Sequence, residues 1–199
     1  LALTEVNEAG GVLDGTMLTP VRADSTCIDS AAATAAAERL VAAEGVPAIM
    51  GADCSGVTIA TVNNVAVPNG IMMISPSATS PALTTIEDQG LFFRTAPSDA
   101  RQGAVVAEVL MDRGIEEVAV TYTNNDYGKG LADAFQAAYE ALGGSVPISA
   151  AHEDGKGDYS AEVGALSAAG TDWLAVFGYA DQGGVGIIRA AVPRSSRSR

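Results

Sequence analysis

The stretch Ile71-Met-Met-Ile-Ser75-Pro-Ser-Ala-Thr-Ser-Pro81 decides the fold class, because it joins a short apolar run to a loop of hydroxyl residues and prolines. The apolar run does not alternate with polar residues, which predicts a strand that is buried on both faces of its sheet. The two prolines stiffen the loop that follows this strand. We therefore expect a buried strand whose carboxyl end opens into a polar, restrained loop.

Similar short apolar runs alternate with helix-like segments on both sides of this stretch. Strands are predicted at residues 16–23, despite Pro20, and at 47–50, 71–74, 92–95, 118–122, 146–150 and 173–177. Helices are predicted at residues 1–9, 29–44, 55–67, 98–113, 127–142 and 159–169, with a last helix from about residue 182. This order is typical of an α/β protein with mostly parallel sheets that helices cover on both faces.

The loops that follow the predicted strands are the natural place for a ligand site. Right-handed crossovers bring the carboxyl ends of parallel strands to one edge of a sheet. The loops concerned are residues 51–55, 75–84, 123–127 and 178–184, and they are rich in Ser, Thr, Asn, Asp, Tyr and Gly. Two loops belong to residues 1–95 and two to residues 96–191, so we expect a site between two lobes.

The composition argues against several kinds of partner. A formal charge of −13 and a pI near 4.2 would repel nucleic acid. No apolar run approaches the roughly 20 residues that a membrane helix needs, and no leader with a cleavage site opens the chain. We expect a soluble protein whose export signal has been removed or was never included.

Two cysteines, Cys27 and Cys54, occur without a CxxC motif or a Cys/His cluster. A zinc site is therefore not expected. One disulfide and two buried free thiols both remain open from the residues alone.

Catalytic and cofactor motifs are missing from the sequence, which holds no G-x-S-x-G, H-E-x-x-H, G-x-x-x-x-G-K-[ST] or complete G-x-G-x-x-G pattern. We therefore expect no catalytic residue, no cofactor and no metal. His152 is expected in a solvated loop, Trp173 in the core, and Asp126 as the N-cap of the helix that follows it. Asp24 and Asp53 also lie near strand ends, but their spacing follows no metal motif.

Other polar residues favour binding. Ser55 begins a predicted helix, where it either receives an anion such as a carboxylate or acts as an ordinary N-cap. The loop around Ser77, Ala78 and Thr79 offers hydroxyls and backbone amides to a ligand, or forms an ordinary turn. Tyr127 and Tyr179 either cover a ligand with their rings or pack in the core.

Several motifs, taken together and in order, resemble the branched-chain amino-acid (Leu/Ile/Val-type) binding proteins of bacterial ABC transporters, a family with the type I periplasmic-binding fold. The resemblance covers about residues 1–191. The motifs are Cys27 before a long helix, Gly51-Ala-Asp-Cys-Ser55, Met73-Ile-Ser-Pro-Ser-Ala-Thr-Ser-Pro81, Phe93-Arg-Thr-Ala-Pro97, Asn125-Asp-Tyr-Gly-Lys-Gly130, Asp158-Tyr-Ser160 and Phe177-Gly-Tyr179.

The resemblance implies a two-lobed venus-flytrap fold that is truncated at both ends. The first lobe would span residues 1–95 and lack its first strand, and the incomplete second lobe would span residues 96–191. Residues 192–199 form an atypical basic tail outside the likeness. The resemblance also implies a Cys27–Cys54 disulfide in the first lobe.

The same resemblance implies the ligand contacts. Ser55 and Thr79 would bind the ligand carboxylate through their hydroxyls and through nearby amides, including that of Ala78. Ser77 would offer its carbonyl to the ammonium group, while Tyr127 and Tyr179 would close over the ligand.

The implied role is an extracytoplasmic, periplasmic protein that captures an amino-acid-like ligand for the membrane permease of an ABC importer. A sensory domain of the same fold is the first alternative. A hydrolase that uses Ser55 or Ser77 as nucleophile is the second.

Overall fold

A computed structural model describes residues 1–192 of the chain. Of the expected basic tail at 192–199, only Val192 falls inside this range, so the expectation for residues 193–199 lies outside the described residues. No helix among residues 1–192 is both long enough and apolar enough to cross a membrane.

The first sheet has three parallel strands in the order β1-β2-β3. They are β1 (Ala48–Met50), β2 (Met72–Ser75) and β3 (Phe92–Arg94). Met73 lies between Ile49 and Phe92 in the register and is fully buried against the helices. Burying a side chain of this size stabilises the fold by about 1.5–3 kcal/mol.

The first part of the chain contains four α-helices, of which the second begins and the fourth ends at a capping residue. They are α1 (Ala2–Glu8), α2 (Ser30–Ala42), α3 (Ser55–Thr61) and α4 (Val67–Asn69), and a π-helical turn at Val62–Ala66 joins the last two. The Asp29 side chain accepts a hydrogen bond from the Ala32 amide at 2.9 Å, which caps α2. Gly70, in the left-handed conformation at φ 66°, ends the α3–α4 run.

The second sheet is also parallel, with β4 (Ala119–Thr123) between β5 (Ser149–His152) and β6 (Leu174–Phe177). Because the chain passes from β5 back across β4 to β6, the strand order reverses at β4. In open α/β sheets this reversal leaves a crevice at the carboxyl ends of the strands. Tyr127, in the first turn of the helix after β4, and Tyr179, in the segment after β6, lie at this edge.

Four helices flank the second sheet: α5 (Asp99–Asp112), α6 (Asp126–Ala141), α7 (Ser160–Ser167) and α8 (Val185–Ala191). Helices α5 and α6 pack closely because Gly103 lacks a side chain. A Cβ at Gly103 would lie 2.6 Å from the backbone nitrogen of Phe135, which itself is fully buried. The predicted two-lobed α/β class with parallel sheets is confirmed, whereas a boundary at residues 95 and 96 stays a prediction.

Coverage of the sheets by helices is less complete than the sequence suggested. One face of the first sheet packs against α3, but the other face exposes Met50, Met72, Ile74 and Phe93 among the described residues. Met50 is 84% exposed and Phe93 is 51% exposed. This face of the described chain is apolar and open.

The strand predicted at residues 16–23 is wrong. This segment has no regular structure beyond a single bridge between Val12 and Thr16. Pro20 lacks the N–H that a strand donates to its neighbour, and no neighbouring strand runs beside the segment within residues 1–192. Alternation of apolar residues alone was not sufficient for a strand.

Three single-residue expectations are also wrong. Trp173 is 55% exposed, because β6 begins one residue later. His152 is buried at the end of β5, where hydroxyls of Thr121 and Thr123 satisfy its ring nitrogens. The cap of α6 is Asn125, whose side chain accepts from the Gly128 amide at 2.8 Å, rather than Asp126.

Candidate ligand-binding site

The loop after β2 is held in one conformation by hydrogen bonds from its own hydroxyls. The buried Ser75 hydroxyl donates to the Ala52 carbonyl at 2.6 Å and accepts from the Ala78 amide at 3.0 Å. The Ser77 hydroxyl donates to the Asp53 carbonyl at 2.9 Å. These bonds tie the loop to the loop after β1, so little conformational entropy remains to be lost on binding.

Arg94, at the end of β3, fastens the other side of the same loop. Its guanidinium donates to the carbonyl of Ser80 at 2.8 Å, to that of Ala78 at 3.4 Å and to the Thr84 hydroxyl at 2.6 Å. The sequence reasoning did not single out Arg94. Its position at the end of a strand beside the loop was the available signal.

Ser55 is buried at the first position of α3, and Cys54 is the N-cap residue. The ordinary N-cap interpretation of Ser55 is therefore wrong. The Ser55 hydroxyl accepts from the Ser80 amide at 3.1 Å. Its own proton has no acceptor among the described residues and is available to a ligand oxygen.

The predicted disulfide is confirmed, because Cys27 and Cys54 are bonded with their Cα atoms 5.2 Å apart. The bond anchors the residue that precedes Ser55. The amide of Gln182, from the loop after β6, lies 3.9 Å from the Cys27 sulfur. The segment before α2 and the segment after β6 therefore meet beside this end of the site.

Ser77 and Ala78 differ in which of their backbone hydrogen-bonding groups remain unpaired and able to bind a ligand. The Ser77 carbonyl accepts no hydrogen bond from residues 1–192, as the predicted contact with an ammonium group requires. Ala78 is buried, and its amide and carbonyl are taken by Ser75 and Arg94. The ligand role of Ala78 stays a prediction that would need one of these bonds to open.

Thr79 is half-buried, and its hydroxyl donates to the Asp99 carboxylate at 2.7 Å. Asp99 begins α5 and is almost fully buried. Burial raises the pKa of Asp99, while the Thr79 hydrogen bond and the charge of Arg94 lower it. The sequence reasoning missed Asp99, because an acidic residue in the first turn of a helix is usually an exposed one.

Tyr127 and Tyr179 pack against each other, with ring centroids 4.7 Å apart and planes inclined by 35°. Burial raises the pKa of Tyr179 to about 12, with smaller contributions from Tyr127 and Asp99. Burial and the Asp99 charge also raise the pKa of Tyr127. Both phenols stay protonated near neutral pH and are able to donate a hydrogen bond.

The backbone before Tyr179 is fixed by Thr123, the last residue of β4. The Thr123 hydroxyl accepts from the Tyr179 amide and donates to the Gln182 carbonyl, both at 3.3 Å. It also contacts the Nε2 atom of His152 at 3.3 Å. His152 therefore lies directly beneath the loop that carries Tyr179.

Glycines allow the two halves of the site to approach each other. A Cβ on Gly56 would lie 3.1 Å from the Asp126 carboxylate, and a Cβ on Gly130 would lie 3.0 Å from Pro81 Cδ. A groove of about 430 Å³ runs along this contact, between Ser80 and Lys129. The loops after β1 and β2 thus face the start of α6.

Two further features lie apart from this cluster. A cavity of about 810 Å³ is lined by the loop after β5 and by α8, including Lys156 and Arg189, and contains none of the predicted ligand contacts. Within residues 1–192, no three His, Cys, Asp or Glu side chains are grouped as a metal site requires. The absence of a metal stays a prediction.

Comparisons with known proteins by sequence profile and by sequence identity indicate the same family. The sequence profile described as periplasmic binding protein matches residues 1–193. The chain is 34% identical over 191 residues to the Leu/Ile/Val-binding protein homolog 3 of Brucella melitensis, covering 92% of this chain and 49% of that protein. It is 32% identical over 180 residues to the leucine-, isoleucine-, valine-, threonine- and alanine-binding protein of Pseudomonas aeruginosa, covering 90% and 47%.

A solved structure of a substrate-binding protein is similar to this chain in both fold and sequence. The ABC transporter substrate-binding protein of Desulfitobacterium hafniense, in complex with Leu, superposes with a TM-score of 0.74 at 30% identity, covering 96% of this chain and 56% of that one. The chain spans about half the length of the curated relatives it matches. By its sequence profile, its relatives and its fold, the chain belongs to the periplasmic binding protein family.

Proposed function

We propose that this chain belongs to an extracytoplasmic substrate-binding protein that captures an amino acid of the Leu/Ile/Val class for an ABC importer. The observation that carries the proposal is that the Ser55 hydroxyl and the restrained loop 75–81 face the start of α6, which carries Tyr127 of the Tyr127–Tyr179 ring pair. The relatives are named for amino acids that include leucine, isoleucine and valine, and one solved structure is a complex with leucine, which supports the same ligand class.

The unpaired hydrogen-bond donors and acceptors at this edge match the carboxylate and the ammonium group of an amino acid. The Ser55 proton and the Thr79 amide, which donate to no acceptor among residues 1–192, would bind the carboxylate. The Ser77 carbonyl would accept from the ammonium group. Tyr127 and Tyr179 would cover the ligand, because an aromatic ring with a polar tip suits a site that is apolar on one side and wet on the other.

Capture without catalysis is part of the proposal. A serine nucleophile needs a base within hydrogen-bond reach. The Ser55 hydroxyl instead accepts from a backbone amide, and the only histidine, His152, lies in the other sheet with its ring nitrogens bonded to threonines. The membrane permease would be the second partner, and the Cys27–Cys54 disulfide suits the periplasm, an oxidising compartment.

The test is calorimetric titration of leucine, isoleucine and valine into the complete natural protein that contains this chain. We expect saturable binding that Ser55→Ala weakens by about 10- to 100-fold, because a hydrogen bond to a charged group contributes roughly 1.5–3 kcal/mol. Ser167→Ala, on the exposed side of α7, is the matched control and should bind as the wild type does.

Three results would count against the proposal. Absence of binding by the wild type would reject the ligand class. Equal affinity of Ser55→Ala and wild type would reject the carboxylate contact. Hydrolysis of an amino-acid ester or amide that is lost in Ser55→Ala would favour the hydrolase instead.

A further inference from the structure

His152 is the one histidine of the chain, and it lies buried at the carboxyl end of β5 with no contact of its own to the proposed ligand. Both of its ring nitrogens face hydroxyl groups of β4. The Nδ1 atom lies 2.9 Å from the Thr121 hydroxyl, and the Nε2 atom lies 3.3 Å from the Thr123 hydroxyl. A polar ring is costly to bury unless its nitrogens are paired, so these two contacts fix the orientation of the imidazole.

The other bonds of the two threonines assign the tautomer of the ring. The Thr123 hydroxyl donates its single proton to the Gln182 carbonyl at 3.3 Å, so it offers only a lone pair to His152. Nε2 must therefore carry the imidazole proton and donate it to Thr123. The Thr121 hydroxyl has no other acceptor among residues 1–192, and its proton goes to the unprotonated Nδ1 atom. With this tautomer every donor of the network has an acceptor.

The surroundings of His152 keep the ring neutral and in place. Burial lowers the pKa of His152, while the charges of Glu162, Glu153 and Asp154 act in the opposite direction. The ring is therefore uncharged near pH 7.5, as the assigned tautomer requires. Tyr159 packs edge-on against the imidazole with ring centroids 6.4 Å apart, and its hydroxyl donates to the Glu153 carbonyl at 2.9 Å.

The segment after β6, which carries Tyr179, rests on Thr123 and His152 together. The Tyr179 amide donates to the Thr123 hydroxyl at 3.3 Å. A Cβ on Gly178, which has a φ of 145°, would overlap this hydroxyl, so only glycine allows the backbone to approach it so closely. A Cβ on Gly183 would lie 2.8 Å from the Cδ2 atom of His152, so the same segment also lies directly on the imidazole.

We propose that His152 is a positioning residue that holds Tyr179 over the ligand through the Thr123 hydroxyl. Donation from Nε2 directs the Thr123 proton toward the Gln182 carbonyl, and the same hydroxyl oxygen accepts from the Tyr179 amide. This inference rests on the proposed function and deepens it, because it names what controls the residence time of the ligand. Without the network Tyr179 is free to move away, and the ligand dissociates faster.

Matched substitutions of His152 in the complete natural protein test the proposal. His152→Gln places an amide donor near the position of Nε2 and should bind leucine within about threefold of wild type. His152→Asn is too short to reach Thr123 and should bind leucine about 3- to 10-fold more weakly. By stopped-flow measurement we expect the dissociation rate to carry this change, because related variants differ mostly in that rate. A variant that is only less stable would lose active protein instead.

Substitutions of Thr123 provide a second test, which gives an answer by itself if His152→Asn does not fold. Thr123→Val should raise the leucine dissociation rate about 3- to 10-fold, and Thr123→Ser, which keeps the hydroxyl, should restore it. Adding His152→Asn to Thr123→Val should cause no further change, because both act through one hydroxyl. Thr171→Val is the matched control, because the Thr171 hydroxyl bonds only to the backbone of Trp173, before β6 begins.

Nuclear magnetic resonance provides a readout that does not depend on affinity. Two-bond ¹H–¹⁵N correlation spectra at about pH 7.5 should show His152 with a protonated Nε2 and an unprotonated Nδ1 atom. A proton on Nδ1, or wild-type dissociation rates in both His152→Asn and Thr123→Val, would overturn the inference and leave the proposed function standing. Wild type that does not bind leucine would overturn the proposed function and this inference with it.

Discussion

Thr79 and Asp99 are joined by two hydrogen bonds that run in opposite directions. The Asp99 amide donates to the Thr79 carbonyl at 2.9 Å, and the Thr79 hydroxyl donates to the Asp99 carboxylate at 2.7 Å. The pair connects the loop after β2 to the first turn of α5, where the chain enters the second sheet. These bonds therefore tie the predicted ligand loop to the segment that links the two halves of the chain.

Arg94 should stabilise both the loop and the fold. Arg94→Gln removes charged donors from the Ala78 and Ser80 carbonyls, and hydrogen bonds to charged groups contribute about 1.5–3 kcal/mol. We expect a loss of this size in the free energy of unfolding, measured by urea denaturation, together with weaker leucine binding. Arg101→Gln, on the exposed side of α5, is the control, and an effect as small as that of the control would contradict the assignment.

Reduction of the disulfide should destabilise the protein. Cys27 and Cys54 are 27 residues apart, and closing a loop of this length is worth about 3.5 kcal/mol in the chain-entropy model. We expect the urea midpoint to fall when a reductant is added to wild type, and to stay constant in the double variant Cys27→Ala/Cys54→Ala. An unchanged midpoint in wild type would show that the bond does not constrain the unfolded chain.

Lowering the pH should destabilise the second sheet, because His152 would become protonated. Burial lowers the pKa of His152 below its ordinary value of 6.5, so the unfolded chain binds this proton more tightly than the folded one. The stability from neutral His152 is complete above about pH 6.5 and is lost as the pH falls below that value. His152→Gln, compared by thermal unfolding between about pH 7.5 and 5.5, should lose this part of the pH dependence. An identical slope in the variant and wild type would contradict the assignment.

Gly130 should be required for the two halves of the site to meet. In Gly130→Val, the new Cβ would lie 3.0 Å from Pro81 Cδ and 3.1 Å from the Ser80 hydroxyl, so α6 and the loop after β2 would have to move apart to relieve the contact. We expect a larger radius of gyration by small-angle X-ray scattering and leucine binding at least about tenfold weaker. Gly164→Val, on α7 with nothing near its Cβ position, is the matched control. Equal scattering curves for the two variants would exclude the steric role.

The sequence predicted those features that depend on local pattern. The apolar runs gave six of the strands within a few residues, and the positions of Ser55, Tyr127 and Tyr179 after strands followed from them. Burial of polar groups depends instead on what packs above them, so no local pattern indicated that Asp99 and His152 are buried. The expectation for Trp173 was wrong for the converse reason, because a large apolar residue just before a strand stays exposed when nothing covers it.

A crystal structure of the complete natural protein with leucine tests the central claim most directly. The account predicts the leucine carboxylate within hydrogen-bond distance of the Ser55 hydroxyl and the Thr79 amide. It predicts the ammonium group on the Ser77 carbonyl, with the rings of Tyr127 and Tyr179 over the ligand. Leucine bound elsewhere, for instance in the cavity between the loop after β5 and α8, or its absence at saturating concentration, would contradict the account.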